Sequence, residues 1–116
     1  DFSSTVLNNA VTDIKVDNTK KVGGNQTTNI SGNSTVTVTK TSKLASSTAD
    51  VKIEAATKIE LVCGTSKITM TPEKITITST SVEVSATALL KTAALKADHG
   101  ATVDFAIQSA IVRINS

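Results

Sequence analysis

The sequence predicts an all-β protein in which three copies of the chain wind into an elongated triangular prism, an intertwined triple-stranded β-helix. Three observations lead there. Apolar residues recur at intervals of eight at Val6, Ile14, Val22, Ile30 and Val38, and Val22 and Ile30 are each followed two residues later by glycine and then asparagine, Gly24–Asn25 and Gly32–Asn33. A fixed short period is the mark of a stacked architecture. Farther on, apolar pairs two residues apart recur every seven to nine residues. Finally, the 39% hydrophobic content comes from small aliphatic side chains, with two Phe and neither Trp nor Tyr. Aromatic side chains normally supply much of a compact core's buried area, so a single-chain globular core would be thin.

In chain order, residues 1–13 are a weakly patterned lead-in that holds only Val6 of the repeat, and residues 14–116 form the needle proper. Each octad from Ile14 to Thr41 reads as a short strand and a corner, where glycine is expected to supply a positive φ or a close approach and Asn is the residue that best substitutes for it. The stretch Leu44 to Asp50, LASSTAD, lapses into small polar residues and reads as a corner or a change of register. The pairs Val51/Ile53, Ile59/Leu61, Ile68/Met70, Ile75/Ile77 and Val82/Val84 then read as strands with one face in and one out. Pro72, Gly64 and Gly100 fall between them, where turns belong.

One segment competes. Ser85 to Gly100, SATALLKTAALKADHG, spaces Leu89, Leu90, Ala93, Ala94 and Ala97 as a helix would, with Gly100 as a C-cap. Strands are favoured because periodic strands flank the segment and a short helix without a packing partner is marginal. Alternation returns at Val103, Phe105 and Ile107, and the chain closes with Ile111, Val112, Arg113, Ile114, Asn115 and Ser116.

Each strand offers two or three small apolar side chains, too few for one chain to close a dry interior, and its edges invite pairing. Three chains around one axis meet both demands. The inward residues of that needle are Ile59, Leu61, Ile68, Met70, Ile75, Ile77, Val82 and Val84. The alternative is a monomeric Thr-rich β-solenoid. Its rows at Thr35, Thr37, Thr39 and Thr41, at Thr69 and Thr71, and at Thr76, Thr78 and Thr80 resemble an ice-binding face, although Lys40, Lys67, Glu73, Lys74 and Glu83 interrupt them.

Charge and chemistry exclude several classes. Twelve basic against ten acidic residues give a net +2, scattered singly and without interleaved aromatics, unlike the basic patches of nucleic-acid binders. One cysteine, Cys63, makes no intrachain disulfide and shares the parity of Ile59 and Leu61, which makes it a small apolar packing residue. No apolar run has membrane-spanning length, and no signal peptide is expected ahead of the repeat. A chain that starts at Asp1 without Met is expected to belong to a longer one. His99, the single histidine, reads as an exposed turn residue. Its competing reading is a metal held by three copies on the axis, and no catalytic site is expected at Asp98–His99 because no positioned nucleophile accompanies it. The expectation is a structural protein, with no enzymatic activity and no cofactor.

VGGNQTTNISGNSTVTV, followed by KIELVCGTSKITMTPEKITI, resembles the carboxy-terminal β-helix of the VgrG (valine-glycine repeat) spikes of bacterial type VI secretion, which are related to the central spike of contractile phage tails. The resemblance spans about Ile14 to Ile114. It implies a parallel homotrimeric needle assembled in the bacterial cytoplasm, delivered out of the cell, and transiently puncturing a target membrane. It also implies a blunt C-terminal tip, residues 111–116 here, capped by a PAAR-repeat protein. This chain departs from the pattern in that Val–Gly pairing is confined to Val22–Gly23, the glycine octads stop after Gly32, and the Ala-rich segment is atypical.

Overall fold

The fold is described from a computed structural model covering residues 3–115, which divides into two units, Asp1–Ser47 and Thr48–Ser116. The division falls inside LASSTAD, where the sequence pattern lapses. Among the described residues there is no helix, and three strands form: β1 Ile59–Cys63, β2 Ser66–Met70 and β3 Ile75–Thr78. They pair antiparallel in the order β1-β2-β3.

Two tight turns make this meander. At Gly64–Thr65 the glycine has φ 57° while Thr65 does not enter the positive region, the pattern of a II′ hairpin loop, whose twist matches that of the flanking strands. The second loop centres on Pro72–Glu73. Proline presets φ at the first central position, Thr71 N–H donates to the Lys74 carbonyl at 3.0 Å, and Lys74 N–H donates to Thr71 Oγ1 at 3.3 Å. Ser66 and Ser79 join their hydroxyls at 2.7 Å beside the first turn.

Register separates the two faces. Ile59 opposes Met70, which opposes Ile75, and Leu61 opposes Ile68, which opposes Ile77. Cys63 opposes Ser66 on that same side. The other face carries Glu60 and Val62, Lys67 and Thr69, and Thr76 and Thr78. Strand alternation therefore collects six of the eight expected inward residues on one side. The sequence reading had each strand pair with a neighbouring chain. Here the chain pairs with itself, because two-residue loops bring consecutive strands into reach at little entropic cost.

Val51/Ile53 and Val82/Val84 do not form strands, and no ladder pairs them among the described residues. Segment 85–100 is neither helix nor strand, and its backbone bends at Thr87–Ala88 and Leu95–Lys96. Those bends belong to a longer series. In the first unit the backbone bends at Leu7–Asn8, Lys15–Val16, Gly23–Gly24, Ser31–Gly32 and Thr39–Lys40, each directly after an octad mark. In the second it bends at Ala56–Thr57, Thr80, Thr102–Val103 and Ala110, and the hairpin turns at 64–65 and 72–73 fall in the same sequence of steps.

Most corners do not need glycine. Gly23, Gly24, Gly32 and Gly100 lack positive φ, and a Cβ on any of them would meet nothing within 4 Å. Leu7–Asn8 and Thr39–Lys40 bend without it, so only Gly64 is conformationally required. Gly100 is not at a corner, which follows at Thr102–Val103.

No described residue is buried. The chain exposes 12875 Å², against about 6,000 Å² expected for a folded monomer of this mass. The period still orders exposure: Val6, Ile14, Val22, Ile30 and Val38 are 44–57% exposed, whereas Leu7, Val11, Val16 and Val36 are 83–92% exposed. Among the described residues, three of the four ion pairs join residues two apart, Asp13–Lys15, Lys52–Glu54 and Lys58–Glu60. Side chains at i and i+2 share a side in extended chain and not in a helix. Glu60 also meets Lys67 across the ladder at 3.7 Å. These pairs are solvent-exposed, and Glu60→Gln is expected to change stability by less than about 1 kcal/mol, measurable as a small shift in the thermal unfolding midpoint.

Candidate functional site

The strongest feature is the apolar face of the meander. Ile59 and Ile68 on adjacent strands lie diagonal to one another, with Leu61, Met70, Ile75 and Ile77 around them; Ile59 is half-buried, the other five are exposed, and none of the six is buried. Large aliphatic side chains gain about 25 cal/mol for each Å² of apolar area removed from water. An uninterrupted patch of six therefore favours association over hydration. The reverse face has no such drive. Its threonines Thr69, Thr76 and Thr78 are interrupted by the Glu60–Lys67 pair, so the hydroxyl row is not flat and uncharged. Val82 and Val84 follow β3 and are likewise exposed.

At the C-terminal segment the backbone bends at Ala110. Ser109 Oγ accepts from the Ile111 N–H at 3.2 Å and donates to the Ile111 carbonyl at 2.9 Å, which fixes the backbone around Ala110. Ile111, Val112 and Ile114 are exposed, as is Arg113. Asn115 has φ 59°, a left-handed conformation that asparagine tolerates better than most residues. Ser116 lies outside the described residues.

His99 does not occupy a corner. It is exposed between the bends at 95–96 and 102–103, with its ring 5.9 Å from that of Phe105 at 48°. No group of three His, Cys, Asp or Glu side chains comes together at metal-binding distance among the described residues. Cys63 is an exposed thiol on the apolar side. The sequence reading missed the self-pairing of residues 59–78. Its signal was present in Gly64–Thr65, where glycine in the first position suits a II′ hairpin loop, and in Pro72–Glu73, where proline in the first position suits a chain-reversing turn.

No family model matches the chain. No curated protein matches it either.

Proposed function

We propose that the chain forms the β-helical needle of a membrane-puncturing spike in a contractile secretion apparatus, as a parallel homotrimer whose tip docks a PAAR-repeat cap. One observation carries the reading. A chain with regular corners about every eight residues and a continuous apolar face has no buried residue of its own among those described. Regular periodicity without an interior is what a chain shows when its interior is shared between copies, as obligate oligomers require. In the assembly, Ile59, Leu61, Ile68, Met70, Ile75, Ile77, Val82 and Val84 face the axis. The reverse face, with Glu60, Lys67, Thr69, Thr76 and Thr78, faces water.

A needle of this kind works mechanically. Its requirements are stiffness and a surface without exposed sheet edges, and both follow when each copy covers its neighbours' unpaired backbone groups. Specific polypeptide neighbours, rather than nucleic acid or a small molecule, are the partners that such a surface fits. A one-chain solenoid would pair each coil with the next, and residues 3–47 form no ladder of that sort.

Light scattering after size exclusion tests the reading. The expected mass at micromolar concentration is three times the 12.0 kDa chain mass. A folded species of one chain mass overturns the needle and favours the solenoid, whose ice-binding face would then show as thermal hysteresis.

A further inference from the structure

Resting on the homotrimeric reading above, we propose that the meander Ile59–Thr78 locks the register of the assembled copies. Repetitive chains have a register problem: a slip that equals the repeat restores most contacts, so the slipped and correct states lie close in energy. In the first unit an eight-residue slip sets Val22 against Ile30 and Ile30 against Val38, apolar on apolar, and superposes Gly24–Asn25 on Gly32–Asn33. The bends also coincide, because they recur after each mark. That half of the chain cannot tell one octad from the next.

The meander can. Its apolar positions are odd-numbered on β1, even-numbered on β2 and odd-numbered again on β3, because the steps from Ile59 to Ile68 and from Ile68 to Ile75 are nine and seven residues. The same eight-residue slip therefore sets Ile59 against Lys67, Leu61 against Thr69, Ile68 against Thr76, Met70 against Thr78 and Ile75 against Glu83. Each mismatch places a polar or charged side chain where an apolar one belongs, without a partner for its polar atoms. Penalties repeated over three strands and three copies separate the correct register from its neighbours.

Self-pairing strengthens the lock. The meander is held by local turns, and hairpins close in roughly 1–10 μs, well before encounters between copies at micromolar concentration. Gly64 at φ 57° and the Thr71–Lys74 bonds position β2 against β1 and β3 within one chain, so every copy presents the same apolar pattern.

The test uses the full chain carrying Cys63→Ser and a spin label on Ser34→Cys, with inter-copy distances read by pulsed electron resonance. One narrow distance is expected. Two variants then remove the lock. Gly64→Val puts a β-branched residue where φ is positive, which such residues strongly disfavour. The combined change Lys67→Ile, Ile68→Thr, Thr69→Ile and Met70→Thr restores an eight-residue apolar step from Ile59 and Leu61. Gly64→Val leaves all six apolar side chains in place and is expected to keep the wild-type mass, whereas the combined change takes Ile68 and Met70 off the apolar face and is expected to weaken assembly. In the trimers that either variant forms, the slipped population is expected to rise at least tenfold, seen as added longer distances. A single unchanged distance in both assembled variants overturns the lock. So does loss of assembly by both, since Gly64→Val leaves the apolar face its six side chains and disturbs only the turn that sets their register. A wild-type chain of monomer mass instead overturns the homotrimeric reading itself, which the mass measurement reports separately.

Discussion

Replacing Ile75 by aspartate is expected to convert the assembly into single chains, read as a fall in mass from three chains to one. In a single copy Ile75 is already 63% exposed, so the substitution removes little from the isolated meander. In the needle it removes about 2 kcal/mol of apolar burial from each chain and places three carboxylates near one axis. An ionised carboxylate without a partner in an apolar site costs several kcal/mol more, and the three repel one another. Desolvation and repulsion both oppose the charged form, so the introduced carboxyl titrates above its ordinary value of about 4 when assembled. The assembled state then binds the proton more tightly than the free chain does, and assembly is regained as pH falls through that raised value and lost as pH rises. Thr76→Asp supplies the control. Thr76 lies on the reverse face opposite Thr69, and its replacement is expected to leave the mass unchanged. Equal damage from both substitutions would show that the apolar face is not the inward one.

Removing residues 112–116 is expected to leave the mass intact while weakening the binding of the cognate PAAR-repeat protein by at least about a hundredfold, near 3 kcal/mol. Three copies of Val112 and Ile114 form an exposed apolar plateau in the proposed needle, with Arg113 and Asn115 around it. The last layer of any prism also leaves backbone N–H and C=O groups without a strand beyond them. A partner that pairs with those groups and covers the plateau gains both terms at once. Calorimetric titration of the cap onto full-length and shortened chains reads the difference. Unchanged affinity would move the docking surface elsewhere on the needle. Lost affinity together with a monomer mass would mean that these residues hold the assembly together and do not define a separate tip.

Sequence alone determined the all-β class, the eight-residue period and the side on which each apolar residue of 59–78 lies, because those follow from side-chain alternation and from local residue preferences. It also showed that one chain has too little large apolar surface for a core of its own, since that is a matter of composition. Whether Ser85–Gly100 is a helix was not legible in it: spacings such as Leu90, Ala93, Ala94 and Ala97 satisfy helix and repeat alike, and the bends at 87–88 and 95–96 decide for the repeat. Nor did it separate the glycines, which look alike as letters. Of the five glycines Gly64 alone takes a positive φ, because it alone of them sits in a two-residue loop that reverses the chain between paired strands. Above all, the sequence reading misassigned the partners of the strands in 59–78 to a neighbouring chain, since an apolar pair at i and i+2 is equally suited to a neighbour from its own chain or from another. The tertiary structure decided that for residues 59–78, where short loops make the strands of one chain the nearest available partners and backbone groups pair with what lies within reach.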